Sequence, residues 1–254
     1  MQLKHAFASD GYVWMRQGFW LFKKNPLAFL MLVFLYIFIA QFAILIPVFG
    51  VFIILVLTPG LTVGFMTACQ MVIRGERVYP TVYLSGFKTV DPLVRKNLLT
   101  LGTIYAFLIL ILSLIASAFI DFKQLLTILT QQSPPTLRDV ESIYFGLGVG
   151  LLLYVPIAMI MWFAPLLVAW GKMSVGQALF SSWIACWSNR GAFIYYMIIW
   201  AIIIVAMPFF FEALLDGMGM RVAIPFIIPP YSMAALTVLY CSFFATWKAC
   251  FDPD

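Results

Sequence analysis

The chain has 254 residues, 64% of them hydrophobic, 17% aromatic and only 10% charged, with a net charge of +5. Ordinary soluble domains hold roughly 45–50% apolar and 25% charged residues, so a soluble core cannot absorb this much apolar surface. The positive balance points to anionic lipid before nucleic acid, for which no motif is present.

In chain order, residues 9–24 come first. They set Tyr12, Met15, Phe19 and Phe22 on one helical face and Arg16, Gln17, Lys23 and Lys24 off it, with Ser9 as N-cap, which predicts an amphipathic interfacial helix. Apolar runs follow at 27–46, 51–73, 98–120, 143–170, 193–215 and 223–247. A hydrocarbon layer of about 30 Å needs about 20 residues rising 1.5 Å each, so every run is long enough to span. Each span must be helical, because lipid offers backbone amides no partner, and barrel strands of about ten alternating residues are not written here. The first run is too long for the apolar region of a signal peptide and reads as a retained anchor. Within the loop after the third span, residues 121–129 predict a short surface helix and 131–135 a breaker.

Charge sets the expected orientation. Twelve of the fifteen Lys and Arg residues precede the odd spans or follow the even ones, leaving Lys123, Arg138 and Arg221 on the other side, while acidic residues divide five and five. Both termini are therefore expected in the cytoplasm. Of the four cysteines, Cys69 and Cys241 fall in spans and Cys186 and Cys250 in cytoplasmic segments, with no CxxC pair; they read as inert thiols.

The cluster Lys23-Lys24-Asn25 recurs as Arg95-Lys96-Asn97 and, weakened, as Ser188-Asn189-Arg190, each time directly before an apolar run. Such groups stay among lipid headgroups and fix where the next helix enters. An amphipathic pattern precedes each cluster. Residues 82–96 set Tyr83, Phe87, Val90 and Val94 against Lys88, Asp91 and Arg95; residues 174–188 set Leu179, Trp183 and Trp187 against Ser174, Gln177, Ser181 and Ser188. Pro59, Pro156 and Pro230 fall in the three returning spans and predict a bend or an irregular start near each. The expected fold is an all-α polytopic membrane protein of six transmembrane helices in three hairpins. Each hairpin is preceded by a cytoplasmic-side interfacial helix, giving a pseudo-threefold repeat (9–74, 82–172, 174–248) within one domain, 1–254.

Interface and lipid contacts are expected from Trp14, Arg16, Trp20, Lys23, Lys24, Lys88, Arg95, Lys96, Trp183 and Trp187, with Trp170 and Trp247 in the same aromatic belt. Inside the spans, Gln41, Thr62, Thr67 and Gln70 read either as interhelical hydrogen bonds or as the polar lining of a solute path. Gly60, Gly64 and Ala68 have the spacing of close helix packing.

The stretches Gly18-Phe19-Trp20-Leu21-Phe22-Lys23-Lys24-Asn25-Pro26 and Gln177-Ala178-Leu179-Phe180-Ser181-Ser182-Trp183 resemble bacterial inner-membrane protein families. Those families are similar in layout to the membrane domain attached to some glycerophosphodiester phosphodiesterases. The resemblance implies six helices in a bacterial inner membrane and no activity. His5 is the only histidine, and no HExxH, GxSxG or P-loop occurs, so no catalytic residue, metal or cofactor is expected. The expected function is a non-enzymatic inner-membrane scaffold that interacts with lipids or other membrane proteins. The alternative is a transporter of a small or amphipathic solute between proline-bent helices.

Overall fold

The computed structural model describes residues 3–46, 49–88, 91–121, 126, 130 and 137–251, and no strand occurs among them. The helix expected over 121–129 and the breaker at 131–135 lie largely or wholly outside the described residues. Six helical stretches are long and apolar enough to cross a membrane: Pro26–Ile44, Phe49–Ile73, Pro92–Ser117, Glu141–Ala169, Arg190–Gly217 and Arg221–Phe251.

Asn25 separates α1 (Asp10–Lys24) from α2 (Pro26–Ile44). Its side chain accepts from the Ala28 amide at 3.2 Å, and Pro26 takes the first helical position, where no donor is needed. After α3 (Phe49–Ile73), a 3-10 turn (Pro80–Leu84) leads to α4 (Pro92–Ser117), capped by Asp91, whose carboxylate accepts from the Leu93 amide at 2.9 Å. The helix expected over 82–96 is thus not one helix. Pro80 and Pro92 each open a new element because neither can donate into a preceding turn. Val90 lies outside the described residues.

None of the expected prolines breaks its helix. α5 (Leu137–Met161) runs through Pro156, as α3 runs through Pro59 and α10 (Ile224–Phe251) through Pro229 and Pro230. The break falls at residues 162–163, before α6 (Ala164–Ala169), where Pro165 lacks an amide and crowds the carbonyl four residues back. Ser182, on α7 (Val175–Ser188), repairs the gap. Its hydroxyl donates to the Met159 carbonyl at 2.7 Å and accepts from the Phe163 amide at 3.0 Å. Between α8 (Arg190–Ala201) and α9 (Met207–Gly217) the helix widens into a π turn (Ile202–Ala206) just ahead of Pro208. There the Tyr231 hydroxyl donates to the Ile203 carbonyl at 2.8 Å.

α1 lies against α8 and α10. Gly11 sits on the backbone of Ala192 and Tyr196, Gly18 sits on Ser242, and the buried Trp14 ring meets Phe193 and Tyr196 at 5.2 and 5.9 Å. The buried stripe is Gly11, Trp14, Gly18 and Leu21, one residue ahead of the predicted one; Tyr12 and Phe19 face outward. Lys4 donates its amide to the Cys250 carbonyl at 3.0 Å, so the two ends of the chain meet. Around them lies the core: Phe163, Leu166, Leu167, Ala185, Cys186, Tyr196, Trp247 and Phe251 are all buried.

Candidate functional site

Two regions concentrate polar chemistry. The first is a rim at the end of the molecule where the two termini meet. Arg16, Lys23, Lys24, Lys88, Arg95, Lys96 and Arg190 are all exposed there. Lys24 stands 4.4 Å from the centroid of the Trp20 ring, Arg190 5.7 Å from that of Trp187, and Lys248 6.0 Å from that of Phe244. Trp183 stacks on Trp187 at 5.9 Å. Trp20 and Trp187 are each 53% exposed, whereas Trp14 and Trp247 are buried and pack in the core. The expected tryptophan belt is therefore divided. Trp20 and Trp187 are exposed, Trp183 is half-buried, and Trp14 holds α1 to α8. The helical register explains Trp14, which shares a face with Gly11 and Gly18, and those glycines bring α1 against its neighbours.

The second region is a cavity of about 30 Å3 between α2, α3, the 3-10 turn and α10. It is a partly open space lined by Tyr36, Thr58, Thr62, Tyr83 and Tyr240 together with Val33, Leu61 and Phe65. Three hydroxyl protons are already committed: Thr58 donates to Ile54 at 2.8 Å, Thr62 to Thr58 at 3.0 Å, and Tyr83 to Leu32 at 2.9 Å, each to a backbone carbonyl. Burial pushes the Tyr83 pKa well above its ordinary value, so the proton stays and the group remains a donor. Tyr83 reaches this depth because Gly64 lies against its backbone, while Gly60 accepts the Phe87 ring. The small residues of α3 thus admit an inserted loop where helix packing was expected.

Of the predicted polar lining, only Thr62 reaches the cavity. At 3.6 residues per turn Thr67 lies about 140° around α3 from Thr62, and Gln41 about 140° around α2 from Tyr36. Thr67 donates to the Val63 carbonyl at 2.8 Å, Gln70 is half-buried elsewhere on α3, and Gln41 is exposed. Tyr36, Tyr83 and Tyr240 were missed. In the sequence they read as apolar span or stripe residues, and only tertiary convergence reveals them. Ligand pockets usually measure about 300–1,000 Å3, so this space is an order of magnitude too small for a carried organic solute.

At the opposite end, Arg221 holds Asp216 through two hydrogen bonds, Nε to Oδ1 and Nη2 to Oδ2 at 2.9 Å, leaving that carboxylate compensated. Among the described residues no group of three or more His, Cys, Asp or Glu side chains stands close enough to hold a metal. All four cysteines are buried, and burial raises the pKa of the Cys186 thiol.

Six apolar helices around a core confined to one end define a polytopic α-helical integral membrane protein. A "probable inner membrane protein" of Burkholderia thailandensis is 39% identical over 259 aligned positions, covering 99% of this chain and 94% of the relative, and the chain belongs to that inner-membrane protein family. No protein-family model matches the chain, and no solved structure matches it significantly. The layout shared with the glycerophosphodiester phosphodiesterase membrane domain finds no support in these comparisons.

Proposed function

We propose that this protein is a non-catalytic scaffold of the bacterial cytoplasmic membrane, with both termini in the cytoplasm and its basic rim on the anionic headgroups of the inner leaflet. The observation that carries the reading is the set of cation–aromatic pairs, Lys24 on Trp20, Arg190 on Trp187 and Lys248 on Phe244. Two of them stand at the entries of α2 and α8. A tryptophan at the interface shares the headgroup layer with the cation beside it, and each basic residue near an anionic surface contributes about 1 kcal/mol. The entries of α2 and α8 also share an asparagine, Asn25 and Asn189, at the helix boundary. That correspondence supports a repeated unit of interfacial helix and helical hairpin in its first and third copies; in the second copy Asn97 lies inside α4.

The test is lipid retention. The protein is reconstituted in nanodiscs of phosphatidylethanolamine and phosphatidylglycerol, extracted gently, and its bound lipids are counted by native mass spectrometry. The reading expects phosphatidylglycerol several-fold above its bulk share, and loss of that excess when Lys23, Lys24 and Arg190 are changed together to Glu. Bound lipid at bulk composition in the unaltered protein would refute it.

A further inference from the structure

We infer that the small space between α2, α3, the 3-10 turn and α10, bordered by five hydroxyl-bearing residues, is a hydration site holding about two water molecules within the membrane-spanning part of the fold, independently of the lipid reading. Its depth follows from register. Tyr36 is the eleventh of the nineteen residues of α2, and Thr58 the tenth of the twenty-five of α3, so the hydroxyls lie far from either end of the spans. Its capacity follows from volume: about 30 Å3 is room for roughly two waters, each needing about 10–15 Å3.

The identity of the occupant follows from the pattern of donors and acceptors. Thr58, Thr62 and Tyr83 have given their protons to carbonyls and keep lone pairs able to accept. Tyr36 and Tyr240 make no hydrogen bond to a protein group among the described residues and can supply O–H donors. No charged side chain lines the walls. An anion would face three sets of lone pairs, and a cation would find no counter-charge in a medium where an uncompensated charge costs several kcal/mol. A neutral molecule that both donates and accepts satisfies every group, and at this size it is water. Each water meets two to four polar partners, as ordered internal waters require. The pair then joins α2, α3, α10 and the inserted loop, adding to the bond from the Tyr83 hydroxyl to the Leu32 carbonyl.

Hydroxyl-radical footprinting by X-ray radiolysis in nanodiscs tests this directly, because radicals made from a bound water oxidise only the side chains beside it. Phe65 and Phe29 are both buried, their rings 5.7 Å apart, but only Phe65 lines the cavity. The expected result is oxidation of Phe65 at least tenfold faster than Phe29, carrying 18O after exchange into labelled water. In the double variant Tyr36→Phe/Tyr240→Phe the Phe65 rate should fall several-fold while exposed Trp20 is unchanged. Equal, slow oxidation of Phe65 and Phe29 would mean a dry cavity and overturn the inference. So would undiminished Phe65 oxidation in the double variant, or a fixed small-molecule adduct in the native mass spectrum.

Discussion

Replacing Asn189 tests the core of the fold with one side chain. It is buried at the junction of α7 and α8. Its Oδ1 accepts from the Ala6 amide at 2.6 Å, and its Nδ2 faces the carbonyls of Lys4 and Ala185 at 3.3 and 3.0 Å and the Cys250 sulfur at 3.7 Å. One amide thereby ties the segment before α1 to α7 and to the last turn of α10. Asn189→Ala removes these bonds and leaves the half-buried Ala6 amide without its side-chain partner. At about 1 kcal/mol net for each of the three N–H···O bonds, the loss is about 3 kcal/mol. For a chain of this size that is a fall of roughly 6–12 °C in Tm. Asn189→Asp has the same shape and keeps Oδ1, but it turns a carboxylate oxygen toward two carbonyls in a buried site. An unpaired buried charge costs at least about 3 kcal/mol, so the Asp variant should be the less stable of the two. Thermal unfolding of both variants, with protease cleavage ahead of α1 as a local probe, gives the comparison. An Asp variant as stable as the unaltered protein would refute the claim that Asn189 acts through its donors.

Gly18→Val forces a side chain into Ser242 and should cost about 1–3 kcal/mol, whereas Gly176→Ala, with nothing within 4 Å, should be neutral or raise Tm slightly. Tyr231→Phe removes the donor to the Ile203 carbonyl beside Pro208 and should lower stability by about 1 kcal/mol, read as a Tm shift against Tyr12→Phe, an exposed control. Since all four thiols are buried, a maleimide probe should label none of Cys69, Cys186, Cys241 and Cys250 in native protein and all four after heat unfolding. Rapid native labelling of Cys186 or Cys250 would contradict the packing around them.

The spans were legible because a long apolar run permits little else in lipid, and the structure returns all six within a few residues of most expected bounds, with longer inner ends. The face by which α1 packs on the protein was not read in the sequence, because a count of apolar side chains gives glycine no weight. Gly11 and Gly18, seven residues apart with Trp14 and Leu21 three residues after each, were the signal for the packed face. Pro165 and Pro208 carried more local consequence than Pro59 or Pro156, which sit inside unbroken helices. Sequence position alone does not say which interrupted turn has a neighbour, such as Ser182 or Tyr231, able to bond one of its open carbonyls. Tyr83 was out of reach for another reason. Its place depends on Gly60 and Gly64 admitting a loop, a long-range fact with no local periodicity.

The distribution of burial along the spans completes the argument. In α2 the buried residues are Ala28, Phe29, Leu32 and Val33; in α4 they stop at Ala106; in α10 they begin at Ala235; and α9 has none. Every one of these lies toward the end where the termini meet. α10 has 28 residues and so measures about 42 Å, about 12 Å more than a hydrocarbon layer of about 30 Å. The excess belongs to the packed end, beside α1, α6 and α7. On the proposed placement of the basic rim among headgroups, water meets any gap there, and apolar side chains gain by packing on one another. In hydrocarbon no such gain exists, since lipid tails are as apolar as Leu, and helices stay together only through close packing and hydrogen bonds. The outer halves accordingly present Phe34, Phe38, Phe42, Phe209 and Phe210 to their surroundings. The inner core around Trp14, Phe163 and Asn189 therefore sets the angle at which each span leaves it, so substitutions there should move the whole bundle while those at Phe209 or Phe42 move little.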